Sequence, residues 1–352
     1  MSETVQRAPD VTAGPPEGRG PGLGWLQRAG ALLVKQREAT VFVVAVALFL
    51  YFGLSTTTFA TSSNLANLLS GYASQIIILS IGETLLLICG EIDLSVGFVF
   101  TFAPFLMHYL IDFYSVPAIP AIILSLLMGA AVGWVNGFFT VTLRVPSFIT
   151  TFGMSFVLLG LVLTTSHAYP AQIPTSVQGL GNWIGGGQSG FGQWTQIIWA
   201  VALVVIFHVV LTRTRWGLHT IAAGGNLLGA REAGIHVNRI KYGNFMITGL
   251  LGAFVGIQVA FYNTTIDPSS GGYTPMFYSV AAAVLGGTAM LGGIGTILGG
   301  FLGAIVLAIV LDGFSIIGVS ANPINIIFGV AILFAMVVNV VLARLRGEGK
   351  TG

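Results

Sequence analysis

The sequence predicts an all-α membrane protein with about ten transmembrane helices and both termini in the cytoplasm. Three observations lead to this prediction: the composition, the spacing of the apolar runs and the distribution of positive charge. Hydrophobic residues make up 55% of the 352 residues and charged residues only 7%. A soluble domain of this length carries roughly a quarter charged residues. The composition therefore excludes a soluble protein, and a net charge of +2 gives no indication of nucleic-acid binding.

Apolar runs recur along the chain at close to the roughly 20 residues that a bilayer requires. Glycines spaced four residues apart in 129–137, 252–256 and 295–303 predict that several of these helices pack closely. The predicted spans are residues 40–58, 72–90, 93–111, 117–141, 147–165, 195–212, 243–262, 276–290, 296–311 and 323–343.

Positive charge sets the predicted orientation. All 14 Lys and Arg residues fall in the two termini and in the loops on one side of this arrangement. By the positive-inside rule that side is cytoplasmic, together with the long loop 213–242. The predicted organisation is a disordered cytoplasmic tail over residues 1–38, a transmembrane domain over 39–343 and a cytoplasmic tail over 344–352.

The long loop contains one short helix with recognisable ends. Asn226 is expected to cap its first turn, and Gly234 is expected to end it in a left-handed conformation. Ile235 supplies the apolar contact that usually follows such an end. The helix between them, Leu227 to Ala233, has barely two turns and is too short to be stable alone in water. We therefore expect it to dock on another protein.

Polar residues inside the apolar runs are the candidates for lining a pathway. Glu83 lies well inside the second span, where it either lines a path or braces a neighbouring helix. Asp93 is expected to cap the third span at its N-terminus. Neither a catalytic residue nor a metal site is predicted, since the single cysteine and the dispersed histidines have no metal-binding spacing. The pathway candidates are Glu83, Asp93, Ser95, Asn136, Phe148, Thr151 and Asn263.

Four stretches in order carry a family resemblance. They read LLLICGEIDLSVG, RVPSFITTFG, GGNLLGAREAGIHVNRIK and SVAAAVLGGTAMLGGIGTILGG. These stretches resemble the landmarks of the ribose-type permeases, the membrane subunits of bacterial ABC importers for simple sugars. The resemblance extends from about residue 40 to 343. The chain departs from the pattern at Glu83, where an uncharged residue is expected, and at Glu91, which replaces a glycine of the commoner GGIDLSVG form.

The resemblance implies partners and a location in the bacterial inner membrane. Such a permease pairs with a second copy or a related permease and binds two cytoplasmic ATPase subunits, which carry the ATP and Mg²⁺. An extracytoplasmic binding protein delivers the sugar. The stretch around Asn226 corresponds to the coupling helix, with Arg231 and Glu232 at its surface and Leu227, Leu228 and Ile235 as anchors. The coupling residues are Gly225, Asn226, Leu227, Leu228, Ala230, Arg231, Glu232, Ala233, Gly234 and Ile235.

One alternative from another class stays open at this point. In a self-contained, proton-driven secondary transporter, Glu83, Glu91 and Asp93 would form the proton relay. That alternative predicts uptake without any ATPase. Which sugar or polyol is carried, and whether the permease is a homodimer or a heterodimer, is not decided by the sequence.

Overall fold

The computed structural model describes residues 37–187 and 190–318, together with residues 326, 329, 330, 333 and 337. Within these residues the chain is helical, apart from one pair of two-residue strands. The helices of the first half are α1 (Arg37–Ser55), α2 (Ser62–Ile88), α3 (Val96–Asp112), α4 (Ala118–Thr142) and α5 (Ser147–Ser166). The second half contains α6 (Gln178–Ile184), α7 (Thr195–Arg213), α8 (Arg215–Gly225), α9 (Leu227–Glu232), α10 (Val237–Asn263), α11 (Tyr273–Leu285) and α12 (Ile297–Ile316).

Seven of these helices are long and apolar enough to cross a membrane: α1, α2, α4, α5, α7, α10 and α12. Two shorter apolar helices, α3 and α11, occupy the positions of two further predicted spans. The tenth predicted span, 323–343, lies outside the described residues except for five single positions. The all-helical membrane class is therefore confirmed, whereas a count of ten spans stays a prediction.

Four predicted span boundaries are wrong by five residues or more. α10 begins at Val237, six residues before the predicted 243, and α12 ends at Ile316, five residues after the predicted 311. α2 begins at Ser62, ten residues before the predicted span, and its second to fourth turns form a π-helix over Asn67–Ala73. α11 ends at Leu285, five residues before the predicted end at 290. The following Gly287 has a φ of +90°, which ends the helix there. The hydropathy of a sequence window includes such flanking turns, so it places ends poorly.

α10 lies at the centre of the bundle and packs on α4 through glycine. A side chain placed on Gly133 would put its Cβ 2.1 Å from the carbonyl oxygen of Phe245, and one on Gly249 would lie 2.1 Å from the carbonyl oxygen of Gly129. The same close approach joins α12 to α11, where a Cβ on Gly303 would lie 2.1 Å from the carbonyl oxygen of Ala282. The predicted packing role is confirmed for Gly129, Gly133 and Gly303.

The loops gather at two ends of the bundle. At one end the segment near residue 91 forms hydrogen bonds with the segments near residues 147, 220 and 293, and the described Lys and Arg residues lie at this end. We call it the basic end. At the opposite end, strand β1 (Ala171–Gln172) pairs antiparallel with strand β2 (Thr265–Ile266). The two sets of loops are the ones that the charge distribution assigns to the two sides of a membrane.

Candidate functional site

The basic end is built on two consecutive helices rather than one. α7 ends at Arg213, and Thr214 caps α8 by accepting a hydrogen bond from the Gly217 amide at 3.4 Å. α8 was missed by the sequence reasoning, which placed a single short helix in this loop. The signal that marks it is the Thr214 cap before an amphipathic eleven-residue run.

Both ends of α9 lie where the sequence predicts them. Oδ1 of Asn226 accepts a hydrogen bond from the Gly229 amide at 2.8 Å. At the other end Gly234 has a φ of +79°, and its amide donates to the carbonyl oxygen of Arg231 at 3.0 Å. The amide of Ile235 donates to the carbonyl oxygen of Ala230 at 2.9 Å. This pair of bonds is a Schellman motif, which holds a helix of only six residues in a fixed shape.

α9 turns a small hydrophobic surface away from the protein. Ala230 is buried and Ile235 half-buried, in a cluster with Ala223 and Val237. Leu228 is 71% exposed and Leu227 39% exposed. Of the three residues expected to anchor the helix, only Ile235 packs on this chain, while Leu227 and Leu228 face outward. Arg231, Glu232 and Ala233 are exposed beside them.

A junction of glycines connects α8 to the end of α2 and to the loop 286–296, which links α11 to α12. A Cβ on Gly224 would lie 1.7 Å from the carbonyl oxygen of Ile88, the last residue of α2. The amide of Gly293 donates a hydrogen bond to that same oxygen at 2.8 Å. A Cβ on Gly293 would lie 2.7 Å from the Cα of Gly225. Displacement of the end of α8 must therefore move backbone at the end of α2 and in the loop 286–296, because the three are in direct backbone contact.

Side chains reinforce this junction. The amide of Asn244, on α10, donates to Sγ of Cys89 at 3.0 Å, and its Oδ1 accepts from the Trp216 indole at 2.9 Å. Lys241, also on α10, forms an ion pair with Glu91. Neither Asn244 nor Trp216 was a predicted site residue. The sequence offers one signal for Asn244, an amide side chain inside an otherwise apolar run.

Five of the seven predicted pathway residues meet in one fully buried polar cluster. Its centre is Asp93, whose Oδ1 accepts hydrogen bonds from the Ser95 amide at 2.8 Å and the Ser95 hydroxyl at 2.6 Å. The Asn136 amide donates to both oxygens of Asp93 at 3.3 Å and to the Ser95 hydroxyl at 2.8 Å. Oε2 of Glu83 accepts from the Asp93 amide at 3.4 Å, and the Thr151 hydroxyl accepts from the Leu94 amide at 3.0 Å.

The cluster corrects the expected role of Asp93. α3 begins at Val96, so Ser95 and not Asp93 holds the N-cap position. Asp93 instead closes a turn onto the amide two residues further along, a geometry typical of Asp before a helix. The segment 89–95 is thereby held without helical structure among α2, α4 and α5. Buried backbone groups outside a helix need such partners in a membrane protein.

The remaining two pathway candidates lie apart from this cluster. Phe148 is exposed on α5, with its ring stacked 6.0 Å from that of Phe152. Phe152 in turn meets Phe156 edge-on at 5.1 Å, so the three rings form a row along one face of the helix. Asn263 is the last residue of α10 and is exposed at the opposite end of the bundle.

The opposite end carries a polar cavity of about 730 Å³. Its wall includes Asn182 of α6, and α6 is held to α10 by a hydrogen bond from the Gln258 amide to the carbonyl oxygen of Ile184 at 3.1 Å. The exposed rings of Trp183 and Phe191 stand beside the cavity. This end therefore presents uncharged hydrogen-bonding groups and aromatic rings.

Known proteins resemble the chain over most of its length. The chain is 34% identical over 313 residues to the xylose/arabinose import permease of Sulfolobus acidocaldarius, covering 87% of this chain and 86% of that protein. It is 32% identical over 312 residues to the ribose import permease of Escherichia coli, covering 88% and 94%. It is 29% identical over 325 residues to the autoinducer 2 import system permease of Photorhabdus luminescens, covering 90% and 92%. No solved structure matches the chain.

The sequence profile of a permease family matches residues 64–340, which include α2 without its first two residues, α3 to α12 and all the site residues described above. Its description is "Branched-chain amino acid transport system / permease component". The matched range covers more than half of the chain. The chain therefore belongs to this family of ABC-importer permeases of the inner membrane.

Proposed function

We propose that this chain is the membrane-spanning subunit of an ATP-driven importer that carries a simple sugar or a related polyol. The family supports the transport role. The relatives named for xylose, arabinose and ribose support the sugar class, because each is matched over more than four fifths of its length.

The observation that carries the proposal is the capped helix α9. A six-residue helix that shows two leucines to solvent has no stability of its own, yet its caps fix its shape. Such a helix fits a groove on another protein as a preformed anchor. We assign that groove to a cytoplasmic ATPase subunit. The contact then comprises Gly225–Leu228 and Ala230–Ile235, and ATP and Mg²⁺ stay on the partner.

The charge distribution supports the orientation that this assignment needs. With the basic end in the cytoplasm, α9 faces the ATPase, and the opposite end, whose described loops contain no Lys or Arg, faces outward. Ten spans, with the last at 323–343, then return both termini to the cytoplasm. The polar cavity at the outer end, beside α6, is the surface that we assign to the sugar-binding protein.

A second permease copy or a related permease completes the pathway. The buried cluster around Asp93 fixes the position of the start of α3. We assign it the role of setting where a substrate path between the helices opens, although the cluster itself is closed. Phe148 and its row of rings lie on an exposed face of α5, where a second subunit would enclose them. Aromatic faces suit the passage of a sugar, because they pack on its C–H groups without binding it tightly.

Reconstitution tests the proposal. Proteoliposomes containing the chain with an importer ATPase of the same genome, ATP inside and binding protein outside should accumulate a labelled sugar. Screening should start with xylose, arabinose and ribose, and leucine tests the other cargo class that the family description raises. Uptake of leucine alone would contradict the sugar assignment. Accumulation that is independent of ATP would contradict the importer.

The structure gives little support to the alternative of a proton-driven secondary transporter. Its relay would join Glu83, Glu91 and Asp93, but Glu91 forms its ion pair with Lys241 at the basic end. Asp93 is held by Ser95 and Asn136. One observation favours a special role for Glu83: its Oε1 is buried and has no hydrogen-bond partner among the described residues. Uptake driven by a proton gradient in vesicles that contain this chain alone would establish the alternative.

A further inference from the structure

The loop 286–296 carries the most exposed large hydrophobic side chain of the described residues. Leu291 is 95% exposed, and the flanking Met290 and Ile294 are exposed as well. Single exposed leucines on a surface are ordinary. Here three exposed apolar side chains lie within five residues, at the basic end of the bundle. An exposed apolar patch of this kind is typical of a protein-binding surface.

The backbone holds this patch in a fixed turn. The Ala289 amide donates to the carbonyl oxygen of Ile294 at 2.9 Å, and the Gly292 amide donates to the carbonyl oxygen of Ala289 at 3.2 Å. Gly292 and Gly293 have φ values of +91° and +79°, which a side chain would disfavour. Leu291 therefore stands at the tip of an ordered turn. A partner that binds it loses little conformational entropy in doing so.

The turn lies beside the proposed coupling helix. Gly293 contacts Gly225 and shares the carbonyl oxygen of Ile88 with the junction. Leu291 is two residues from Gly293, and Leu228 is three residues from Gly225. At 3.8 Å per residue their Cα atoms lie within about 23 Å of each other. One side of a standard interface covers about 800 Å², or about 30 Å across, so a single partner can cover both leucines.

The surroundings identify the chemistry of that partner. The turn joins two helix ends at the basic end, where Lys241 pairs with Glu91 and where Arg231 and Glu232 are exposed. The membrane-facing sides of the bundle are instead continuous apolar stripes, such as that of α1. A fixed apolar tip among ionised groups matches a hydrophobic recess on a water-soluble protein better than it matches lipid.

We propose that Met290 and Leu291 form a second contact for the cytoplasmic ATPase subunit, continuous with Leu227 and Leu228 on α9. This inference rests on the proposed function. It adds a second mechanical connection, because the turn leads directly into α12. There the Thr296 hydroxyl accepts from the Gly299 amide at 3.0 Å and donates to Glu38 at 2.7 Å. The ATPase would then act on α11 and α12 as well as on α10.

Serine substitutions test the contact. The affinity of the detergent-solubilised chain for the importer ATPase should fall about tenfold or more for Leu291→Ser, as expected when a buried leucine is removed from an interface. Leu228→Ser should weaken binding at least as much. Leu54→Ser is the matched control. Leu54 is 87% exposed and lies near the C-terminal end of α1, at the end of the bundle opposite the basic end, so this substitution should leave ATPase binding unchanged. All three variants should keep the thermal stability of the unmodified chain.

The pattern of losses separates this inference from the proposed function. Loss in Leu291→Ser and Leu228→Ser, with Leu54→Ser unchanged, supports both. Loss in Leu228→Ser alone overturns the second contact and leaves the coupling helix standing. Unchanged binding in both leucine variants overturns the coupling helix together with the second contact.

Site-specific photocrosslinking identifies the occupant directly. The chain has a single cysteine, Cys89, which is buried. A benzophenone maleimide therefore labels Leu291→Cys selectively in the purified chain, before the ATPase subunit is added. Illumination should join this chain to the ATPase subunit, and Leu54→Cys should give no such product. Crosslinks confined to lipid, to a second permease copy or to this chain's own tails would overturn the inference.

Discussion

Two non-membrane-spanning segments of this chain, residues 89–95 and 226–235, are fixed in opposite ways. The segment 226–235 is held by its own backbone, through an Asn226 cap and a Schellman motif, and most of its side chains face outward. The segment 89–95 is held by side chains from other helices, among them Glu83, Asn136 and Thr151. One segment is built to present a surface and the other to place the start of a helix.

This difference indicates which substitutions should affect partner binding alone and which should also lower the stability of the fold. Side chains of the outward-facing segment can be replaced without disturbing the fold, because they contact little of this chain. Side chains of the buried segment cannot, because each loss leaves a polar partner unsatisfied away from water. The glycine junction connects the two segments, since Ile88 lies directly before residues 89–95 and contacts Gly224.

The largest effect is expected from Gly224→Val. Its Cβ would lie 1.7 Å from the carbonyl oxygen of Ile88, and both sides of this contact are backbone. We expect a loss of about 3 kcal/mol or more in folding free energy, at the upper end for an overpacked site. A thermal shift assay in detergent measures it. Gly153→Val is the control, because open space surrounds Gly153. Equal stability of the two variants would refute the junction.

A smaller but still large effect is expected from Asp93→Ala. The substitution removes the acceptor for the Ser95 amide, the Ser95 hydroxyl and the Asn136 amide. Leaving these buried donors without their partner should cost about 2–3 kcal/mol and abolish uptake. ATPase binding should persist in the fraction that remains folded. Wild-type stability in a thermal shift assay would show that this cluster does not hold the segment.

The smallest effect is expected from Asn226→Ala. Loss of the cap should cost α9 about 1 kcal/mol, with the stability of the bundle unchanged. ATPase affinity should fall about fivefold, because the helix must then be ordered on binding. Asn226→Asp keeps a capping oxygen and should restore most of the affinity. Titration of the ATPase against the solubilised chain measures both. An alanine variant with unchanged affinity would show that the cap does not preorganise α9.

The sequence predicted what local chemistry determines. Asn226 and Gly234 act within a few residues, so the ends of α9 follow from residue type. Nine predicted spans correspond to helices, because an apolar segment in a membrane must satisfy its backbone hydrogen bonds within itself. α8 was missed because eleven residues cannot cross a bilayer and an amphipathic surface helix gives no span signal.

For the buried cluster, the sequence predicted the individual polar residues but not that they contact one another. Glu83, Asp93 and Asn136 were recognised as polar residues at membrane depth, but their meeting depends on the packing of separate helices. The same limitation placed Asp93 at a helix cap, because residues 93–95 were predicted to begin the third span. Leu291 falls in the short gap predicted between the spans 276–290 and 296–311, but its exposure was not predicted, because the sequence does not show which apolar side chain of a turn faces outward.

One measurement tests the central claim that α9 is the place where the ATPase acts. The chain with Leu227, Leu228 and Arg231 all replaced by alanine is co-expressed with the importer ATPase and purified from detergent. These side chains are exposed, so we predict normal insertion and stability with the ATPase lost from the complex. Full ATPase occupancy in the purified variant would contradict the account and require the coupling surface to lie elsewhere.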